Sequence, residues 1–431
     1  MTKQIHSGIA AGQVPEGYKL EHGYVIPKEW KVVHFNDCFH RLTQKNTENN
    51  QNVLTISAQQ GLISQLDYYN TLYASEDKTG YFLLQKGNFA YNKSYSADYA
   101  YGAIKQLEKY DKGIVSPLYI CFSANEGTNT DFYRQYFEAG MFNREIYKIA
   151  QEGARNHGLL NVSTPEFFSA ALVFPPVDEQ KKIAEILSCC DRVIELKQQL
   201  IAELQRLKSG FLQAMFPAKG HSEPDIRFPE FSDAWEQRKV TDLGEIYIGL
   251  VTTMTEHYTD EGHLLIRNSD IKEGYFEFGE NPIYLDEEFS EQNKSRMHQL
   301  GDVITVHTGG IGTSAVIGEN EVNSIGFATI VTRPNQEILD SNYFATYLNT
   351  DTHKQWAISM ATGDGRSNYN LKDYTKLVVP IPQIGEQKKI AACIGNLNNL
   401  ITLHQQELEE TKKKKKSLAK LLLTGSVRVL T

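Results

Sequence analysis

The chain has 431 residues, 41% apolar and 23% charged, a composition typical of a globular protein with more than one domain. No run of eighteen apolar residues occurs, so no membrane-spanning segment is expected, and a net charge of −9 argues against holding nucleic acid by bulk charge alone. The five cysteines lack zinc-type spacing, which predicts reduced thiols in a cytoplasmic protein and no metal site.

The first globular segment, residues 20–175 within a domain assigned to residues 1–175, mixes short apolar runs with turn signals. VLTISA, VSPLYICF and AALVF are typical of strands, and a short helix is expected around residues 131–138. Residues 81–112 interleave five lysines with six tyrosines. Lysine contacts phosphate, while Asn, Ser and Tyr reach base edges or stack on bases. The alternative is a small domain packed by tyrosine and solubilised by lysine.

Residues 176–216 predict a first long helix. After two prolines the chain runs without Gly or Pro until Gly210, and its apolar residues recur every three or four positions. About 38 residues at 1.5 Å each give a rod of roughly 57 Å. Pro217 ends the pattern and opens a linker assigned to residues 217–230.

The second globular segment, residues 231–382, also predicts a mixed α and β domain. EIYIGLV, DVITVHT and IGFATIVT are typical of strands, and a helix is expected around residues 341–348. His307, Thr308 and the glycines after them predict a tight loop whose backbone N–H groups face a contact. Gly310 begins a loose G-x-G-x-x-A pattern, but the β-branched residues that follow do not suit the helix that a dinucleotide site requires. No P-loop or catalytic triad stands out, so no enzymatic activity is predicted.

Residues 383–431 predict a second long helix and a C-terminal tail. Gly395 weakens its apolar pattern without ending it. Lys412 to Lys416 form a run that covers all faces of a helix turn. Such runs are ordinarily solvated, and contact with phosphate or a partner is the alternative.

The chain is a duplicated unit of about 205 residues. The hexapeptide EQKKIA occurs at residues 179–184 and again at residues 386–391. The same offset of 207 aligns further residues, namely Gly158 with Gly365, Asn161 with Asn368 and Pro175 with Pro382. An offset of 205 aligns Trp30 with Trp235. Two equivalent helices can pair as an antiparallel coiled coil about a pseudo-twofold axis, the alternative being core helices of all-α domains.

Two variable segments, each closed by a Pro-rich strand, EQKKIA and a long helix, resemble the specificity (S) subunit of type I restriction–modification systems. IRFPEFSDAWEQRKVTDLGEI at residues 226–246 resembles the start of that family's second target-recognition domain. VIPKEWKVVHFND at residues 25–37 resembles the start of the first. The resemblance covers nearly the whole chain. It implies an α+β fold with two mixed α/β target-recognition domains joined by two long helices.

The resemblance also implies a division of labour. Each domain would read one half of an asymmetric bipartite site on double-stranded DNA, and the helices would set the gap. Two methyltransferase (M) subunits would dock on the chain, bind S-adenosylmethionine and methylate adenine, while two restriction (R) subunits, where present, would supply ATPase and nuclease. The chain itself would be non-catalytic, with no cofactor and no membrane contact. Because the recognition domains are acidic overall, the M subunits are expected to contribute much of the positive surface.

Loop residues with hydrogen-bond donors are the candidate DNA contacts: Lys86, Asn88, Tyr91, Asn92, Lys93, Ser94, Arg155, Asn156, His307, Thr308, Thr313, Arg366, Ser367 and Asn368. The resemblance places methyltransferase contacts at the helix starts: Glu179, Gln180, Ile183, Glu386, Gln387 and Ile390. No catalytic or metal-binding residue is predicted. Two alternatives stay open, a coiled-coil adaptor whose domains bind proteins and the recognition subunit of an orphan or decoy methylation system.

Overall fold

The structure is a computed structural model that describes residues 14–57, 60–71, 73–94, 99–150, 160–218, 220–361 and 368–429. It divides into two compact units, a first unit of Met1–Lys197 with Glu407–Thr431 and a second unit of Gln198–Gln406. The division falls inside the long helices and not in the stretch 217–230 that the sequence suggests as a linker. No helix in the described part of the chain has the length and apolar character needed to cross a membrane.

The first unit combines short strands with short helices and part of each long helix. Its strands are β1 Tyr18–Glu21, β2 Tyr24–Pro27, β3 Lys31–His34, β4 Phe39–Arg41, β5 Leu54–Ser57, β6 Gly61–Ser64, β7 Phe82–Gln85, β8 Phe89–Asn92, β9 Ala103–Gln106, β10 Lys112–Val115, β11 Ile120–Ala124 and β12 Ala171–Phe174. Its helices are α1 Phe35–Cys38, α2 Gln65–Tyr69, α3 Thr130–Glu138, α4 Asn143–Ile149, α5 Thr164–Ser169 and the beginning of α6 Val177–Ala214. The predicted strands in VLTISA and AALVF and the helix near residues 131–138 are confirmed. VSPLYICF is not one strand, because β10 ends at Val115 before Pro117 and β11 begins at Ile120.

The main sheet of the first unit has the order β4-β11-β8-β9, with antiparallel neighbours. Successive side chains of a strand point to opposite faces. In β8, Phe89 and Tyr91 pack with Phe35 in an aromatic core, whereas Ala90 packs in a second core with Leu84. Both faces of β8 are buried, so this strand reads as an apolar run and not as strict alternation.

The second unit is built in the same manner. Its strands are β13 Glu236–Lys239, β14 Gly244–Ile248, β15 Tyr258–Thr259, β16 His263–Arg267, β17 Ile271–Lys272, β18 Tyr275–Phe276, β19 Tyr284–Leu285, β20 Val303–Thr305, β21 Ser314–Val316, β22 Ile325–Phe327, β23 Ile330–Pro334 and β24 Val378–Ile381. Its helices are α7 Glu287–Gln292, α8 Ser341–Leu348, α9 Asp351–Met360, α10 Leu371–Tyr374, the end of α6 and the first part of α11 Ile384–Leu423. The predicted helix at residues 341–348 and the predicted strands are confirmed, with IGFATIVT divided between β22 and β23.

The sheets repeat the duplication that the sequence predicts. The order β14-β23-β20-β21 in the second unit corresponds to β4-β11-β8-β9 in the first. In each unit the entry strand pairs antiparallel with the strand that leads to a long helix, β3 with β12 and β13 with β24. Trp30 and Trp235 stand directly before the two entry strands. The mixed α and β fold therefore consists of two copies of one frame.

Candidate nucleic-acid interface and helix starts

The first residue of the repeated hexapeptide is a buried carboxylate in the first unit. Glu179 is 2% exposed and accepts hydrogen bonds from Trp30 Nε1 at 2.8 Å and from Arg428 Nε and Nη2 at 2.7 and 2.9 Å. A buried charge is tolerated when it is paired and hydrogen-bonded in this way. Glu179 therefore fastens the start of α6 both to the entry of its own domain and to the C-terminal segment.

Glu386 has the same arrangement in the second unit. It is fully buried and accepts bonds from Arg227 Nε and Nη2 at 3.0 and 2.8 Å and from Trp235 Nε1 at 3.2 Å. We call these two groups the Trp–Glu–Arg clusters. In each unit the arginine comes from the segment that follows a long helix, Arg227 after α6 and Arg428 after α11.

The second residue of the hexapeptide ties each long helix to a shorter one. Gln180 donates from Nε2 to the Pro175 carbonyl at 2.8 Å and accepts from the backbone N–H of Asn129, the N-cap of α3, at 3.4 Å. Gln387 donates to the Pro382 carbonyl at 2.9 Å and accepts from the N–H of Asp340, the N-cap of α8, at 2.9 Å. The repeat thus fixes the angle at which each long helix leaves its domain.

The six residues assigned to methyltransferase contact are all buried. Besides the two glutamates and two glutamines, Ile183 and Ile390 are 0% and 1% exposed within the two cores. In this chain the six side chains offer no surface, because their polar atoms and apolar faces are already engaged inside their units. Their docking role stays a prediction, and exposed neighbours such as Lys181 and Lys182 are the residues that a partner could reach.

The arginines of the clusters were not singled out from the sequence. A signal existed, since V-R-V at residues 427–429 parallels I-R-F at residues 226–228. The spacing of this pair is 201 residues, different from the offsets of 205 and 207 that reveal the rest of the repeat. A gapless comparison therefore does not bring the two arginines into register.

Three candidate DNA contacts of the first unit lie where β8 ends. Asn92 accepts a hydrogen bond from the backbone N–H of Ser94 at 3.0 Å, and Lys93 accepts one at its carbonyl from the N–H of Leu160 at 2.9 Å. The second contact brings residues 160–161 beside this strand end. Lys93 is partly exposed and Ser94 is exposed. Arg155 and Asn156 lie outside the described residues.

Other candidates of the first unit lie elsewhere. Tyr91 is 1% exposed, its ring stacks on Phe167 at 5.2 Å, and its hydroxyl donates to the Tyr101 carbonyl at 2.9 Å, so burial leaves it no face for a base. Lys86 and Asn88 form the turn at the opposite end of β8, where Asn88 Oδ1 accepts from the Gln85 N–H at 2.7 Å. The five residue steps from Asn88 to Lys93 separate the two ends by about 16 Å.

The second unit brings three of its candidates together where β20 ends. His307 Nδ1 lies 2.8 Å from Thr308 Oγ1, and Thr308 Oγ1 donates to Asn368 Oδ1 at 3.0 Å. Asn268, which the sequence did not suggest, accepts from the His307 backbone N–H at 2.7 Å. Burial lowers the pKa of His307, so the imidazole is neutral near pH 7 and has both a donor and an acceptor nitrogen.

The loop after His307 is tight, as predicted, but its backbone N–H groups face inward. Those of Ile311, Gly312 and Thr313 donate to carbonyls of the same loop at 2.8 to 3.2 Å. Gly309 and Gly312 have φ values of +96° and +83°. A residue with a side chain would be strained in this backbone conformation. The strand β21 follows the glycines, so no dinucleotide-binding helix exists here. Arg366 and Ser367 lie outside the described residues.

The two groups of candidates occupy equivalent places in the duplicated sheet. We call Asn92, Lys93, Ser94 and Leu160 the first hairpin surface, and Asn268, His307, Thr308 and Asn368 the second hairpin surface. Each lies where the third strand of its sheet enters the loop to the fourth, next to the segment before α5 or α10. Amide, hydroxyl, imidazole and ammonium groups at one strand end suit hydrogen bonding to base edges and phosphates. No cluster of His, Cys, Asp or Glu in the described ranges is arranged to hold a metal ion.

Comparison with known proteins gives a consistent result. The family model of the type I restriction modification DNA specificity domain matches the chain twice, over residues 27–206 and 232–413. The type I restriction enzyme MjaVIII specificity subunit of Methanocaldococcus jannaschii is 22% identical over 96% of both chains.

Solved structures share the fold. A chain from work on complex assembly and conformational transition of the type I R-M system aligns with a TM-score of 0.58 and 15% identity, covering 94% of this chain and 100% of that one. The type I restriction-modification S subunit from M. genitalium aligns with a TM-score of 0.53 and 13% identity, covering 96% and 99%.

Proposed function

The chain belongs to the family of type I restriction–modification DNA specificity subunits, and from this premise we propose that each unit reads one half of a bipartite DNA site through its hairpin surface. The observation that carries the proposal is the equivalent position of the two surfaces in the duplicated sheet. The surfaces differ in side chains, with a lysine in the first and an imidazole in the second. The two half-sites should therefore differ, and the whole site should not be palindromic.

The first hairpin surface is suited to phosphate as well as base contact. Lys93 offers an ammonium group beside the amide of Asn92 and the hydroxyl of Ser94. The second surface is held in place by hydrogen bonds that Asn268 accepts from the His307 backbone and Asn368 accepts from the Thr308 hydroxyl, so less freedom is lost on binding. Such preorganisation favours base reading by His307 and Thr308.

We further propose that α6 and α11 act as an antiparallel pair that sets the gap between half-sites. In the first unit, Lys197 pairs with Glu407 at 2.7 Å and Asp191 pairs with Lys415, so numbers that rise on one helix fall on the other. Helices of 38 and 40 residues are about 57 and 60 Å long at 1.5 Å per residue. That length exceeds the roughly 35 Å of one DNA turn and leaves room for two methyltransferase subunits.

The chain would supply recognition and its partners the chemistry. S-adenosylmethionine is expected on the M subunits, and restriction subunits would add DNA cleavage where they are present. Because the net charge of this chain is −9, we propose that the M subunits contribute much of the positive surface that holds the DNA backbone.

The test is methylation mapping with matched variants. The tagged chain is purified with its methyltransferase from the native host, and modified adenines are mapped on DNA with labelled S-adenosylmethionine. A split, asymmetric motif is expected. Lys93→Ala should weaken methylation by about tenfold, as expected for loss of a phosphate or base contact of roughly 1–2 kcal/mol. The control Lys86→Ala, at the other end of β8, should leave it unchanged.

His307→Ala should alter only one half of the motif, because the second hairpin surface would read one half-site. A variant that changes both halves equally, or equal losses for Lys93→Ala and Lys86→Ala, would count against the assigned surfaces. DNA binding that is indifferent to sequence, with no methyltransferase recovered, would favour the adaptor alternative.

A further inference from the structure

The first unit contains a groove of about 370 Å³ between α3, α6 and α11. We call it the lysine groove. Its floor includes Met141, Ile194 and Ala419, and its rim carries Lys412, Lys416 and Lys420. Glu138 also lines the groove, and its carboxylate is paired with Lys105 at 2.5 Å. The three lysines follow each other at i, i+4 and i+8, so they lie in one row along a single helix face.

Positive charge is concentrated on this part of α11. Residues 411–423 contain six lysines and no acidic residue. Three of the six pair with acidic residues, Lys412 with Glu409 at 2.7 Å, Lys414 with Glu410 at 3.2 Å and Lys415 with Asp191. Lys416 and Lys420 are exposed. Like charges at i, i+4 repel each other and destabilise a helix, so the row weakens the free helix.

The second unit has a groove at the equivalent place that lacks the lysine row. A cavity of about 430 Å³ there is lined by Lys208 and Leu212, which the offset of 207 aligns with Lys415 and Ala419. The residues aligned with the lysine row are uncharged: Gln205, Ser209 and Gln213. Because the second unit folds with Gln205, Ser209 and Gln213 at these positions, the lysine row is not needed to form the shared fold.

We propose that the lysine groove binds an acidic amphipathic helix of a protein partner. An apolar floor accepts a stripe of aliphatic side chains, and the lysine rim pairs with Glu or Asp on either side of that stripe. DNA phosphates would use the lysines but have no complement for Met141, Ile194 and Ala419. The row spans about 12 Å, or two helical turns, which suits a short docking helix. The second unit lacks the lysine row, so we expect only the first unit to bind such an acidic helix.

The probe is a pair of fluorescent 18-residue peptides with the same leucine stripe, flanked by Glu in one and by Lys in the other. The Glu peptide is expected to bind the full-length chain, and its affinity should fall as salt rises. The substitutions K412Q, K416S and K420Q transplant the residues of the second unit. They should weaken binding by about tenfold, as three partly exposed ion pairs of roughly 0.5 kcal/mol would.

The matched control is K413Q with K414Q, which removes lysines of the same run that do not line the groove and should leave binding unchanged. Circular dichroism of all variants checks that the helix is retained. Equal binding of both peptides, no binding, or binding unaffected by the transplant would overturn the proposal. Loss of DNA affinity for every sequence, with a smaller salt slope and unchanged peptide binding, would also overturn it and make the row a phosphate contact.

Discussion

The two units share the same strand arrangement in their main sheet but differ in the side chains that form their cores. Phe35 follows the entry strand of the first unit, and its ring lies within 6.1 Å of six others: Phe39, Phe122, Phe137, Phe142, Phe167 and Phe168. Val240 stands at the aligned position in the second unit and is equally buried, in a core with fewer Phe rings. By contrast, both units retain the Trp–Glu–Arg cluster. Directional hydrogen bonds to a buried carboxylate allow few substitutes, whereas apolar volume can be supplied in many ways.

The largest expected effect tests the core difference. Phe35→Ala should cost the first unit about 3–5 kcal/mol of unfolding free energy, because a ring is lost and a cavity remains. Val240→Ala should cost the second unit only about 2 kcal/mol, since two methyl groups are removed. Hydrogen exchange followed by mass spectrometry, read separately for peptides of each unit, measures both. Equal losses would mean that the aromatic core relaxes around the missing ring.

The next largest expected effect distinguishes the two Trp–Glu–Arg clusters. Arg227→Ala should destabilise the second unit by about 3 kcal/mol, because it leaves the buried Glu386 without its cation. The side chain of Arg428 is 38% exposed, against 15% for Arg227. Water reaches the ion pair of Arg428 more easily, so Arg428→Ala should lower the unfolding free energy of the first unit by about half as much.

Hydrogen exchange at the starts of α6 and α11 reports on the two clusters. Arg428→Ala should lower protection in the first unit, although residue 428 follows α11, a helix that begins in the second unit. Loss of protection confined to the second unit would contradict the role of the C-terminal segment. The Arg→Lys variants serve as controls that keep the charge and lose the two-pronged geometry.

The smallest effect concerns pH. Burial lowers the pKa of His298 to about 3 and that of His353 to about 4 in the second unit. Each value lies below the unfolded pKa of about 6.5, so the stability contributed by the neutral ring is complete above pH 6.5 and is lost as the pH falls toward 4. Lowering the pH from 7 to 5 should cost up to about 2 kcal/mol per histidine.

The first unit supplies the comparison for this pH effect. Its described histidines, His22, His34 and His40, are exposed. Denaturant-dependent hydrogen exchange, corrected for intrinsic rates, should therefore show a steeper pH dependence in the second unit. His353→Gln should reduce that slope, and identical slopes in both units would contradict the prediction.

Much of the frame followed from the sequence alone. The long helices were predicted because apolar residues recur at helical spacing over many turns, and they run as Val177–Ala214 and Ile384–Leu423. The repeat was visible because the segments around the two EQKKIA copies align without gaps at a constant offset, and the sheets reproduce it. The resemblance to the family rested on the same signals.

Only the tertiary structure decided which segments, distant in sequence, contact each other within each unit. Glu179 and Arg428 are 249 residues apart, and Glu386 and Arg227 are 159 apart, so no local periodicity could pair them. The same applies to the contact between Lys93 and Leu160, which forms the first hairpin surface. Local spacing encodes helices and strands because neighbouring residues fix the backbone. Contacts between distant residues depend on how those elements pack, and this is a property of the whole chain.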